Sequence, residues 1–380
     1  MTLITRIINR TNQRLSTLEV GPREAAESSS KSIEETLYFM LRRIKISLVM
    51  LAILILTSLT VTTACGGSDS DTTKREIVFA GLNWDSALIQ NGVARYIVEN
   101  GYGYPTSHVE GATVPLFEGL RKGDIDITME IWLPNQQAVW DNAIKAGEVI
   151  PVGKSLEDNW QNTFLIPDYV AEANPGLKNV EDLKKDEYKS LFVEPDSGGK
   201  AVLVGCIAQW ACRGINEGQL EAYGLEEHVE LRDPGTMAGL NGAIQGAYTK
   251  KAPVLFYYWG PTTLSSQLNM VGLEQPPIAN CAGADPALGC EIPAAEVLVA
   301  MNMDLVEDAP ELITFFRSWD WSASNQLAAE GWHADNKDAA GSSDEAYTAT
   351  AVWYLKNNDA WKAWLPEAEL AKVEEALAAK

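Results

Sequence analysis

Strand-length apolar runs alternate with helical periodicity from residue 76 onward, and that alternation confines the chain to α/β folds. Residues 76–81 (EIVFAG) read as a buried strand, about 87–99 as a helix, 114–122 as a second helix, and 123–130 as a returning strand. The pattern resumes with a strand at 200–206, a helix at about 211–223, a short strand at 229–231 and a helix at 236–250. Residues 252–259 (APVLFYYW) and 294–301 read as further buried strands, and the remainder to Lys380 is mostly helical. In parallel α/β sheets, ligands sit beyond the carboxyl ends of strands. Trp84 and Trp132 fall at such ends.

The segment before this alternation reads as an address. Leu48 to Thr60 is apolar, follows the basic Arg42, Arg43 and Lys45, and ends in small residues before Cys65. That order is a secretory signal over 40–64, and small residues followed by cysteine are similar to a bacterial lipobox, with Cys65 as the lipidated residue. An uncleaved signal anchor is the alternative, although the run is shorter than the ~20 apolar residues a spanning helix needs. Residues 1–39 precede a complete signal and read as a non-native or disordered extension, with a cytoplasmic extension as the alternative. Residues 65–75 read as a tether. The expected location is extracytoplasmic, lipid-anchored to the cell membrane.

The formal net charge is −22, and the amino-terminal segment is net positive, so the exported part is more acidic still. Such acidity argues against nucleic-acid binding, which needs basic stripes. It suits an exported domain that stays monomeric. Cys206, Cys212, Cys281 and Cys290 are an even set in an oxidising compartment. Four cysteines allow three pairings, and short loops favour Cys206–Cys212 and Cys281–Cys290. A metal site competes with this reading, but neither pair has tight metal-ligand spacing and no histidine is near in sequence. No cofactor is expected.

Three tryptophans sit in turn-like settings: Trp132 before Pro134, Trp210 between Cys206 and Cys212, and Trp259 before Gly260 and Pro261. Indole faces suit a quaternary ammonium, which offers no hydrogen-bond donor. Trp84 is a fourth candidate, whereas Trp319, Trp321, Trp332, Trp353, Trp361 and Trp364 have the spacing of helix packing. Ala211 and Cys212 stand at a helix start, where free amides and the helix dipole attract a carboxylate. The bland reading places the same tryptophans in core or rim. Catalysis has little support: His108, His228 and His333 are scattered with no nucleophile elbow. Asp124 and Asp126, expected on one side of a strand, suit capping better than acid–base chemistry. A carbohydrate-active hydrolase would need two placed carboxyls.

In these residues the chain resembles the substrate-binding proteins of glycine betaine/proline-betaine ABC importers over residues 76–365. The segments that carry the resemblance are 119–134, 205–212 and 254–261. The middle one, a tryptophan inside a cysteine-bounded loop, is the most specific. The resemblance implies a two-lobed α/β periplasmic-binding-protein clamp (type II), each lobe a mixed sheet flanked by helices. Lobe one is expected at 76–162 plus 297–380 and lobe two at 163–296. It also implies a cage of Trp132, Trp210 and Trp259, a carboxylate held by the amides of Ala211 and Cys212, and work with a permease and an ATPase. Gln136 stands where some relatives carry a carboxylate-binding histidine, Ala211 replaces a glycine, and Trp84 lies where some choline binders place a cage ring. Choline, carnitine or a sulfonium analogue therefore stand beside betaine as ligands.

Overall fold

A computed structural model describes residues 74–280 and 285–380, so the signal, the tether up to residue 73, Cys65 and Cys281 lie outside the described residues. The strands are β1 (Ile77–Leu82), β2 (Thr106–Gly111), β3 (Ile127–Leu133), β4 (Val149–Ser155), β5 (Trp160–Pro167), β6 (Ala201–Val204), β7 (Val229–Arg232), β8 (Leu255–Gly260), β9 (Met270–Gly272), β10 (Glu296–Asn302) and β11 (Asp320–Trp321). They form two mixed sheets, ordered β11-β4-β10-β3-β1-β2 and β7-β6-β8-β5-β9. Within each, β1, β2 and β3, and likewise β6, β7 and β8, run parallel. Antiparallel partners β10 and β5 close against them. Helices cover the sheets, as the alternating pattern requires.

The chain passes from the first sheet to the second between Ser155 and Trp160 and returns between Gly272 and Glu296. Asn159 ties the two passages together. Its amide donates to Leu156 O (2.7 Å) and Ala295 O (2.8 Å), and its Oδ1 accepts from Ala295 N (2.7 Å).

Local chemistry explains the element ends. The helices Thr113–Lys122 and Gln137–Ala146 both stop at glycines with positive φ, Gly123 (78°) and Gly147 (72°), which leave the helix in the left-handed conformation. Asp124 N and Ile125 N then bond back to Gly119 O, so the turn consumes the residues expected to start the strand, and β3 begins only at Ile127. Asp126 consequently precedes the strand, where it accepts from Arg75 (2.7 Å) and Val78 N (2.8 Å). It caps local structure and does not pair with Asp124 for chemistry.

Trp319, Trp321, Trp361 and Trp364 are buried, as their spacing predicts. Trp332 and Trp353 differ: they are only half-buried and stack on each other with centroids 5.4 Å apart. Among the described residues, no helix is long and apolar enough to cross a membrane.

Candidate functional site

Four loop-proximal indoles meet at one hollow between the two sheets. Trp84 leaves the end of β1 and precedes the helix Asp85–Ile97. Trp132 is the penultimate residue of β3, paired with Val297 on the returning β10. Trp259 is the penultimate residue of β8, paired with Gln161 on β5. Two of these rings thus ride on central strands beside the passages between sheets. Both strands end in cis X-Pro bonds, Leu133-Pro134 and Gly260-Pro261.

Trp210 comes from the loop closed by a Cys206–Cys212 disulfide, with Cα atoms 5.9 Å apart, the pairing favoured by short-loop spacing. Cys290 is also disulfide-bonded, and its expected partner Cys281 lies outside the described residues. The Trp210 ring meets Trp84 edge-on at 5.2 Å and Trp259 edge-on at 5.3 Å. Its Nε1 donates to Asn83 Oδ1 at 2.7 Å, linking the disulfide loop to the first sheet's end. Trp132 is joined to this group through a carboxylate, not by ring contact: Glu130 Oε2 accepts from both Trp84 Nε1 and Trp132 Nε1 at 2.8 Å.

Ala211 and Cys212 line the hollow where the helix Cys212–Ala222 begins. Arg213 N already bonds to Trp210 O (3.1 Å), whereas among the described residues no backbone carbonyl accepts from the amides of Ala211 or Cys212. Helix-start amides of this kind favour an anion. Gln136 also lines the hollow, buried at the start of the helix Gln137–Ala146. Every sequence-selected ligand candidate therefore borders one space.

Four lining residues escaped the sequence reading. Tyr257 packs beside Trp259 at 6.0 Å and donates to Gln161 Oε1 (2.9 Å), which also accepts from Asn135 Nδ2 (2.8 Å). Burial raises the Tyr257 phenol far above its ordinary range, so it stays a neutral donor. Thr113 completes the set at a helix start. No lining side chain carries a formal charge.

Glu130 was missed as well, although one signal pointed to it. It is the single charged residue in an otherwise mostly apolar strand (ITMEIWL) and lies two residues before Trp132, on the same face. It is fully buried. Burial raises its carboxyl pKa, opposed by the Ser86 hydroxyl and by hydrogen bonds from Trp132, Trp84 and Gln90.

A two-sheet α/β clamp with an aromatic, uncharged hollow between its sheets defines a solute-binding protein. The chain belongs to the family of substrate-binding domains of ABC-type glycine betaine transport systems, whose model matches residues 75–351. Members of this family are solute-binding proteins that work with ABC permease and ATPase components. The chain is 25% identical over 302 residues to the trimethylamine N-oxide-binding protein of Pelagibacter ubique (strain HTCC1062), covering 73% of this chain and 94% of that protein. Its fold is similar to an ABC-transporter choline-binding protein in complex with choline (TM-score 0.64, 18% identity, 80% of this chain and 98% of that one). It is also similar to the glycine betaine/L-proline-binding protein of Borrelia burgdorferi (TM-score 0.63, 19% identity, 78% and 99%).

Proposed function

We propose that this protein captures glycine betaine, or a closely similar methylated ammonium, in a cage of Trp84, Trp132, Trp210 and Trp259 and presents it to an ABC importer. The convergence of these indoles on one uncharged hollow carries the reading. Each desolvated indole face contributes up to about 2 kcal/mol to holding a cation. Trp132, Trp210 and Trp259 alone supply up to roughly 6 kcal/mol, and low-micromolar binding corresponds to about 8 kcal/mol. The amides of Ala211 and Cys212, with Gln136 opposite, are the proposed carboxylate clamp and provide the rest.

The proposed lobes are 76–162 plus 297–380 and 163–296, closing over the ligand by hinge motion. The proposed anchor is a lipid on Cys65, which holds the protein outside the cytoplasmic membrane as a monomer. A shorter head is the second reading. The name of the Pelagibacter relative supports trimethylamine N-oxide, whose single oxygen needs fewer clamp donors than a carboxylate.

Calorimetry of the purified protein against betaine, choline, carnitine, trimethylamine N-oxide and maltose tests this. Heat with betaine and none with maltose is the expected result. Silence with every methylated ligand removes the reading, and heat with the N-oxide alone selects the second one.

A further inference from the structure

Glu130 is not part of the hollow's wall, yet it is the point where two of the bordering indoles join. Its Oε2 accepts both Trp84 Nε1 and Trp132 Nε1. Its Oε1 accepts Gln90 Nε2 at 2.7 Å. The orientation of the Gln90 amide is set from behind, because its own Oε1 accepts from Ser155 Oγ (2.7 Å) and Trp319 Nε1 (3.3 Å). These neighbours present donors to Glu130, the arrangement an ionised carboxylate requires, since it can only accept.

The charge itself is costly. Glu130 has no exposure to solvent, and among the described residues its hydrogen-bond partners Trp84, Trp132 and Gln90 are all uncharged. An unpaired buried charge is among the most expensive features a core can hold. Neutral glutamine would satisfy both indole N–H groups through one carbonyl oxygen, but its amide nitrogen would face the Gln90 Nε2 donor, so the three hydrogen bonds the carboxylate accepts offset part of its burial cost and leave an unpaired charge.

We infer that Glu130 is the counter-charge of the ligand's ammonium, acting through the Trp84 and Trp132 rings as a positioning and specificity-determining residue. The inference rests on the cage reading above and deepens it. Cation–π attraction is electrostatic and grows with the negative potential of the ring face. An anion hydrogen-bonded at the indole N–H pushes electron density into the ring, and the dry surroundings leave its field weakly screened. A bound ammonium gives the buried carboxylate the cation that the protein does not supply. A neutral head of the same shape gains nothing from this charge. Glu130 thus separates a trimethylammonium from a tert-butyl group, which the bare shape of the hollow cannot do.

The test uses the purified full-length protein, glycine betaine and its carbon isostere tert-butylacetate, with the weaker ligand measured as a competitor against the stronger. In Glu130→Gln, betaine affinity is expected to fall about tenfold while tert-butylacetate affinity stays within about threefold, so the preference for the ammonium collapses. Glu130→Asp keeps the charge but shortens the reach. It is expected to weaken both ligands while retaining the wild-type preference, and it carries the test if Glu130→Gln does not fold. Equal losses for both ligands in Glu130→Gln, or loss of the preference in Glu130→Asp, overturn the inference and leave the cage standing. Failure of the wild type to bind betaine or any other methylated ammonium overturns the cage and this inference together.

Discussion

Tryptophans of two kinds can be told apart by what their ring nitrogens and faces meet. Trp361 is fully buried and its Nε1 donates to Leu355 O (2.9 Å), so both its face and its edge are spent on packing. Trp210 spends its ring nitrogen on Asn83 and meets Trp84 and Trp259 edge-on, yet it borders the hollow. Trp210→Ala is therefore expected to cost more than about 2 kcal/mol of ligand binding. Trp361→Ala should leave affinity nearly unchanged while lowering stability by about 3–5 kcal/mol. Titration and urea melts of both variants check this, and equal affinity losses would show the division to be wrong. Glu330 offers a second residue-scale prediction. Burial pushes its carboxyl up to about 7, against hydrogen bonds from Gln326 (2.7 Å) and Thr263 N (2.8 Å), with Asp85 adding repulsion. The folded state then holds this proton up to pH near 7, while the unfolded chain releases it near its ordinary value of 4.5. Stability from this group should fall as pH rises across that window and level off above it. Glu330→Gln should flatten that slope and gain up to roughly 3 kcal/mol above neutrality. Urea melts on either side of the window read the difference; an unchanged slope would contradict it.

At the scale of elements, the disulfide loop and the passages between sheets carry separate tasks. The Cys206–Cys212 bond closes the loop holding Trp210 and the start of the helix that presents the Ala211 and Cys212 amides. Confirmed reduction should weaken ligand binding while the sheets persist by circular dichroism, and unchanged affinity would remove the loop from the account. Asn159 makes three buried bonds, two of them across the passages, so Asn159→Ala should destabilise by about 1–3 kcal/mol, measured by thermal unfolding. The loop was legible in the sequence because cysteine spacing, a lone aromatic and a helix start all lie within seven residues. β4 was not. Its Pro151 and Gly153 read against a strand, and they are tolerated because they flank a register shift in the pairing with β10, where Gly153 meets Val299 and Pro151 meets Ala300. A Cβ at Gly153 would lie 2.3 Å from Phe316 O, a close approach visible only once the helix Pro310–Arg317 is in place.

Across the whole molecule, the α/β alternation, the return strand β10 and the four bordering tryptophans could be read from local pattern, since each is flagged by its own neighbours. Tyr257 and Gln161 could not, and Glu130 only in part, because its place in an apolar strand is local while its partners are not. Glu130 gains its partner Trp84 only because β3 pairs with β1, and Gln161 meets Tyr257 only because β5 pairs with β8. The parts that hold the rings in place come from long-range pairing, while the rings themselves are announced in sequence. The Trp84 and Trp132 wall already meets the Trp210 and Trp259 wall, through the Trp84–Trp210 ring contact at 5.2 Å and the Trp210 bond to Asn83. A crystal structure of the protein grown with glycine betaine tests the central claim most directly. The expected result is the trimethylammonium nitrogen within about 6 Å of the centroids of Trp84, Trp132, Trp210 and Trp259, with the carboxylate at the amides of Ala211 and Cys212. Betaine bound elsewhere, or an empty hollow in a protein shown by calorimetry to bind it, would contradict the claim.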